Sequence, residues 1–259
     1  MPGLPIPIPS LPRPNKKMIP SPVGSNDLTK LLDSEQWELA TQQCQAHPNE
    51  ACGWSTRPGF FEGIKTSDVL PIHIACSRRP TSQIIDALYE ANAHGFRAKE
   101  TAYRRLPLHI ACRSDASPEV IKRLLHYYSD AAAVDDSLGR LPLHYRLSNG
   151  ADPTAVDALL EACPGGARAF DKRGWLPVHV ACSVGASLHV VKELVEAYPA
   201  SVLLTTNKGS TPLKCMNMAL HSPHKDAVAA YLKQKEQEEQ IEVGRKAARP
   251  SRDSMRMIV

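Results

Sequence analysis

The chain has 259 residues and a mass of 28.4 kDa, enough for one large domain or two modest ones. Hydrophobic residues make up 42% and charged residues 22%, which excludes a fully disordered chain, and no stretch reaches the ~18 consecutive apolar residues of a membrane span. The formal charge of +4 comes from the two ends. Residues 1–26 hold three basic and no acidic side chains, residues 243–259 hold five basic and one acidic, and the segment between them is slightly acidic.

The first 65 residues are predicted to form an arm and then a cap. Eight of the 22 prolines fall in residues 1–26, where alternations such as LPIPIPSLPRP remove backbone donors and favour an extended, disordered, basic arm. A PxxP spacing there matches the minimal SH3 ligand, but a passive arm is the preferred interpretation. Residues 27–65 carry apolar side chains at helical spacing, among them Leu28, Leu32 and Trp37, and are predicted to be an N-terminal helical cap.

The middle of the chain contains an internal repeat. The string LPIHIAC at residues 70–76 returns as LPLHIAC at 106–112, LPLHYRL at 141–147 and LPVHVAC at 176–182, and a degenerate TPLK follows at 211–214. The signature prolines are spaced by 36, 35, 35 and 35 residues: Pro71, Pro107, Pro142, Pro177 and Pro212. We number the units that they mark repeats 1 to 5.

Each repeat is predicted to be a turn followed by two helices. A glycine three residues before the proline (Gly139, Gly174, Gly209) supplies the positive φ of a tight turn. The signature proline suits the first turn of a short helix, where its missing N–H costs nothing. A second helix then begins with a capping side chain and a proline, as at Ser117–Pro118. Two such helices cannot bury their apolar faces alone, so stability must come from stacked neighbours.

These residues resemble the ankyrin-repeat family, whose hallmark is a TPLHxA-like helix start after a glycine turn. The resemblance covers residues 66–235. It implies an all-α ankyrin-repeat solenoid of about five helix-turn-helix repeats with turn or hairpin tips, an N-terminal helical cap and flexible tails. Leucine replaces threonine before four of the prolines, and the period is 35 rather than ~33 residues. Residues 236–259 are predicted to be a charged helical extension and a disordered basic tail that begins near Val243.

The resemblance also implies a structural role for the histidines that recur in register, which tie adjacent repeats together through backbone groups: His73, His109, His144 and His179. No nucleophile, paired acid or phosphate-loop motif accompanies them, so no enzyme, cofactor or metal site is expected. Seven scattered cysteines without a CxxC pair, and an N-terminus lacking a secretory apolar core, predict an intracellular protein, cytoplasmic or nuclear.

Ankyrin domains bind partners on the concave face made by turn tips and first helices, so the resemblance places the candidate partner-binding residues there. They stand four or two residues before a signature proline, or in the aberrant first helix of repeat 3: Tyr103, Arg105, Leu138, Arg140, Tyr145, Arg146, Arg173 and Trp175. In repeat 3, Tyr145 and Arg146 replace the usual isoleucine and alanine. Arg146 is therefore expected to point outward or distort the helix, and the two residues are hypothesised to form the centre of the site with Arg140. The alternative is a tolerated irregularity.

The sequence therefore predicts a monomeric, non-catalytic protein-interaction module, an adaptor or scaffold for a protein partner. Two alternatives stay open. The less favoured one is a binder of nucleic acid or an anionic surface through the basic tails and turn-tip arginines, which a steep salt dependence would reveal. The other is a regulatory subunit of an enzyme assembly, which a co-purifying activity would reveal.

Overall fold

The computed structural model describes residues 27–60, 64–219 and 222–248. The predicted arm, and the end of the predicted tail from residue 249 onward, lie outside the described residues. In the described part the chain forms twelve α-helices, five short 3₁₀ helices and two strands of three residues, so the protein is predominantly helical, as predicted.

Short and longer helices alternate along the chain, and a signature proline begins the first helix of every repeat, as predicted. The helices are α1 (Asp27–Asp33), α2 (Trp37–Ala46), α3 (Pro71–Cys76), α4 (Ser82–Ala91), α5 (Pro107–Arg113), α6 (Pro118–Tyr127), α7 (Pro142–Ser148), α8 (Pro153–Ala162), α9 (Pro177–Val184), α10 (Leu188–Ala197), α11 (Pro212–Met218) and α12 (Lys225–Ala248). A five-residue 3₁₀ helix follows each even-numbered helix from α2 to α10: Pro48–Cys52, Ala93–Arg97, Ser129–Ala133, Pro164–Arg168 and Pro199–Leu203.

The helices pack in two rows. The odd-numbered helices contact one another in chain order, as do the even-numbered ones, and each pair packs against the next. Between the rows lies one continuous apolar core, to which α5 contributes Ile110 and α6 contributes Val120, Ile121 and Leu124. Each helix pair buries its apolar face against the neighbouring pairs. Stability therefore depends on stacking, because helices this short cannot bury their apolar faces within a single pair.

The predicted N-terminal cap is itself a helix pair. Helix α1 packs on α3 and α2 on α4, with Leu28 and Leu32 fully buried. The all-α prediction missed the strands β1 (Ser55–Arg57) and β2 (Ser67–Val69), which pair antiparallel across the boundary placed at residue 65. Three residues are too few to show the two-residue period of a strand, so the sequence pattern did not reveal this pair.

Helix α12 closes the other end of the array. Its buried Val228 and Leu232 pack against the stack, and its later residues are mostly exposed. The prediction that a tail begins near Val243 is wrong, because the helix continues to Ala248. Local pairs support this solvated helix: Gln234 Nε2 donates to Glu238 Oε1 at 2.7 Å, one turn along. No helix in the described residues is long and apolar enough to cross a membrane.

The turns that precede the first helices contain the predicted left-handed glycines, with φ of 73° at Gly139 and Gly174 and 72° at Gly209. Neighbouring turns are joined by backbone hydrogen bonds, such as the one that the N–H of Asn207 donates to the carbonyl of Arg173 at 3.2 Å. The turns therefore form a continuous edge beside the odd-numbered row.

Two of these glycines provide a matched test of turn packing. Gly174→Ala is expected to lower the free energy of unfolding by about 3 kcal/mol, and Gly209→Ala by about 1 kcal/mol. Both alanines would adopt the same strained φ, but a Cβ at Gly174 would overlap the Asn207 side chain and lie 2.8 Å from its backbone nitrogen, whereas at Gly209 it would meet open space. Urea unfolding of both variants measures the difference; equal losses would contradict the packing.

Candidate functional site

Four histidines make the same bridge between neighbouring repeats: His73, His109, His144 and His179. In each ring Nδ1 accepts a hydrogen bond from the N–H of the leucine three residues earlier, at 3.0 to 3.2 Å. The proton is therefore on Nε2, which lies 3.0 to 3.2 Å from a backbone carbonyl oxygen 25 or 31 residues further along the chain and donates to it. The carbonyl partners are those of Ala98, Arg140, Trp175 and Leu204. Both ring nitrogens are thus occupied in holding the array together.

Burial keeps these histidines and the register cysteines uncharged. Desolvation lowers the pKa of His73 and of His109 to about 4, and it lowers the pKa of His144 and of His179 as well. Burial also raises the pKa of the Cys112 thiol to about 12. Within the described ranges, no three His, Cys, Asp or Glu side chains are grouped so that they could hold a metal ion.

Arg146 is buried in the array, with 3% of its surface exposed, so the expectation that it points outward or distorts its helix is wrong. Helix α7 continues through it to Ser148. Its Nη1 donates to Asp115 Oδ1 at 3.0 Å and to the carbonyl of Ala116 at 3.2 Å, both in the loop between α5 and α6. Asp115 also accepts from Arg79 at 3.2 Å. One carboxylate in repeat 2 therefore joins repeats 1 and 3, and the charge of Arg146 is used within the fold.

Tyr145 is also buried, at 3% exposure, between two arginines of successive turns. The guanidinium of Arg105 lies 5.3 Å from its ring centroid and that of Arg140 lies 5.6 Å from it. Its hydroxyl donates to Asp136 Oδ2 at 2.6 Å and accepts from Arg105 Nε at 3.2 Å. Burial and the bond to Asp136 raise the pKa of Tyr145 to about 12. Since Arg105 is buried too, at 9% exposure, this cluster is an internal one, and the side chains of Tyr145 and Arg146 are not accessible at the surface as hypothesised.

The other candidates remain accessible on the turn edge. Arg173 and Leu138 are exposed, and Tyr103, Arg140 and Trp175 are half-buried. Tyr103 is covered on one side by Arg105, whose guanidinium lies 4.5 Å from its ring centroid. The structure therefore separates the predicted set into three buried residues and five that solvent reaches.

Three of the accessible candidates line one groove between repeats 3 and 4. The groove has a volume of about 220 Å³, and its walls include Arg140, Asp171, Arg173, Trp175 and Val180. Asp171 Oδ1 accepts from the backbone N–H groups of Arg173 and Trp175, each at 2.8 Å, and its Oδ2 accepts from Arg140 Nε at 3.4 Å. A buried carboxylate thus fixes the turn that presents an arginine and a tryptophan to solvent.

A larger cavity, of about 340 Å³, lies at the N-terminal end beside Asp33, Arg57, Phe60 and Arg78. Arg57 Nη2 lies 2.7 Å from Asp33 Oδ2, and Arg78 Nη2 lies 4.0 Å from Asp33 Oδ1, so both arginines already have a counter-charge there. Residues 61–63, which follow Phe60, are outside the described chain.

No family model matches the chain. No curated protein matches it in sequence either. Because neither comparison indicates a function, a function is proposed from the groove between repeats 3 and 4.

Five lining residues of the groove were not among the predicted binding residues: His144, Ser148, Asp171, Val180 and Ser183. The signal for Val180 was present in the position three residues after each signature proline, which reads Ile74, Ile110, Tyr145, Val180 and Cys215. Among these side chains only Val180 is partly exposed. At this position repeat 3 has a tyrosine and repeat 4 has the shorter valine. The change in side-chain size between successive repeats indicates unfilled space in repeat 4.

Proposed function

We propose that the chain is an ankyrin-type repeat protein that acts as a non-catalytic adaptor or scaffold and binds a protein partner at the groove between repeats 3 and 4. The partner-binding residues of this proposal are Leu138, Arg140, Arg173 and Trp175, with Val180 beneath them. Buried aromatic and arginine side chains at the centre of an interface contribute most of its binding free energy.

The observation that carries the proposal is an open, rigidly supported cleft with an arginine and a tryptophan at its rim. Arg173 is exposed and Trp175 is half-buried, and both are held through their backbone N–H groups by Asp171. The exposed Leu138 on the neighbouring turn adds apolar surface. A preformed surface of this kind loses little conformational entropy on binding, which favours a protein ligand.

Protein binding is better supported than binding to nucleic acid. Of the turn-tip arginines predicted for phosphate contacts, Arg105 is buried and Arg140 is paired with Asp171, which leaves Arg173. An intracellular setting is proposed on the cysteines, since all seven are free thiols.

The proposal is tested by affinity purification with the full chain and two charge-reversal variants. Arg173→Glu changes the groove, and Lys122→Glu makes the same change of charge at an exposed site on α6 in the other row. Partners that bind the groove are expected to fall at least tenfold with Arg173→Glu, corresponding to about 1.4 kcal/mol, and to be retained with Lys122→Glu. Circular dichroism checks that both variants fold. A set of captured proteins that is the same with both variants would reject binding at the groove.

A further inference from the structure

The residues of the groove have equivalents in repeat 3, where a tyrosine lies among them. Each wall of the groove has a counterpart 35 residues earlier, around Tyr145: Arg140 corresponds to Arg105, Trp175 to Arg140, Asp171 to Asp136, His144 to His109, and Val180 to Tyr145 itself. The protein therefore displays one filled and one open copy of the same site.

The filled copy shows what the walls bind. Tyr145 lies between the side chains of two successive turns, and its hydroxyl donates to Asp136 Oδ2 at 2.6 Å. Asp136 Oδ1 is occupied by the N–H groups of Leu138 and Arg140, at 2.7 and 3.0 Å. One oxygen of the carboxylate thus holds the turn and the other binds the phenol.

The open copy repeats the aspartate and the first arginine, with Trp175 in the place of the second arginine and Val180 in the place of the tyrosine. Asp171 Oδ1 holds the turn through two N–H groups, and its Oδ2 lies 3.4 Å from Arg140 Nε, as Asp136 Oδ2 lies 3.8 Å from Arg105 Nε. The valine at position 180 is too short to reach between Arg140 and Trp175, and the resulting groove is bounded by both.

We propose that this groove binds a tyrosine side chain of the partner. Its ring packs on Val180 between Arg140 and Trp175, and its hydroxyl donates to Asp171 Oδ2. The inference rests on the proposed function and adds the chemistry of the ligand: a phenol, because the ring fills the cleft and only the hydroxyl supplies the proton that the carboxylate accepts. Hydrogen bonds to a charged acceptor are among the stronger ones in proteins.

Filling the groove from within the chain is the sharpest test. Val180→Tyr places a phenol where repeat 3 has Tyr145, so it is expected to raise the melting temperature by about 2 °C or more and to abolish binding of the probe below. Val184→Tyr adds a tyrosine to the same helix at an exposed position that does not line the groove, and is expected to do neither. A Val180→Tyr protein that is no more stable than Val184→Tyr would overturn the inference.

The ligand chemistry is tested with N-acetyl-L-tyrosine amide as the probe, added to the full ¹⁵N-labelled chain. Chemical shifts of the Trp175 indole N–H and of the Val180 amide are expected to move in the native protein and not in Val180→Tyr. The phenylalanine amide is expected to bind at least tenfold more weakly, because it leaves Asp171 without the donor. Equal affinity for the two amides would overturn the inference.

The phosphotyrosine amide separates recognition by Asp171 from simple attraction to the arginines. It is expected to bind more weakly than tyrosine, since the phosphate removes the hydroxyl proton and brings negative charge to a carboxylate. Tighter binding of the phosphorylated probe would overturn the inference. If the tyrosine probe fails while Arg173→Glu still loses captured proteins, the proposed function stands and the tyrosine inference falls; if both fail, both fall.

Discussion

Lowering the pH from 7 to 5 is expected to reduce the free energy of unfolding by about 4 kcal/mol, about 2 kcal/mol for each of His73 and His109. Burial holds the pKa of both rings at about 4 in the folded protein, against an ordinary value of about 6.5. The unfolded chain therefore takes up protons as the pH falls through 6.5, and the folded protein does not until pH 4. The contribution of the two histidines to stability is level above pH 7 and is lost as the pH falls from about 6.5 to about 4, with the loss complete below pH 4.

Desolvation of the buried rings causes this sensitivity, whereas the backbone hydrogen bonds to Ala98 and Arg140 raise the pKa of the two rings and act against it. Protonation of Nδ1 would break its bond to the leucine N–H at the start of the same helix, whereas Nε2 would keep its proton and its bond to the carbonyl further along the chain. Glu100 near His73 and Asp136 near His109 act in the opposite direction, but desolvation is the larger effect. The pKa values of His144 and His179 are lowered too, so their contributions have the same sign.

Urea unfolding at pH 7, 6 and 5 measures the effect. His109→Gln is expected to reduce the loss of stability between pH 7 and pH 5 by about 2 kcal/mol, whereas His126→Gln, at an exposed position on α6, is expected to leave that loss unchanged. Stability that does not change between pH 7 and pH 5, or a His109→Gln protein with the full pH dependence, would contradict the assignment.

Asp115→Asn is expected to lower the free energy of unfolding by about 3 kcal/mol, because it leaves the buried guanidinium of Arg146 without its counter-charge. Asparagine has the shape of aspartate and tolerates the left-handed backbone at this position, where φ is 57°, so the change tests charge rather than conformation. Arg146→Met removes the charge and keeps the length of the side chain, and is expected to cost about 1 kcal/mol.

The double variant is the decisive measurement. When Arg146 is already replaced by methionine, Asp115→Asn no longer leaves a buried positive charge without a counter-charge. The double variant is therefore expected to be at least 1 kcal/mol more stable than Asp115→Asn alone. The coupling is measured by a double-mutant cycle from urea unfolding. Strictly additive losses would show that the 3.0 Å contact between Arg146 and Asp115 contributes no stability.

Much of the fold could be predicted from the sequence because its determinants are local. A proline at the first turn begins each of the five first helices, and a glycine three residues before it has positive φ at Gly139, Gly174 and Gly209. The pair β1 and β2 was missed because its hydrogen bonds depend on two short segments ten residues apart, neither of which has a visible period.

The candidate site was predicted less well, because burial depends on what the neighbouring repeat supplies. Register places Arg146 where repeats 1, 2 and 4 have alanine, but it does not reveal that Asp115, 31 residues earlier, receives the guanidinium. The same applies to Tyr145, whose burial depends on Arg105 and Asp136 in two different turns. Arg173 and Leu138 are exposed, and each is joined to the next turn through its backbone carbonyl.

The carboxylate of Asp115 has a consequence for the way in which the array comes apart. In a linear stack of short units, end units separate from the rest more easily than units held on both sides. Asp115 fastens Arg79 on one side and Arg146 on the other, so the first three repeats are clamped together beyond their apolar contacts. Loss of order in one of these three repeats is therefore expected to be coupled to loss of order in the other two.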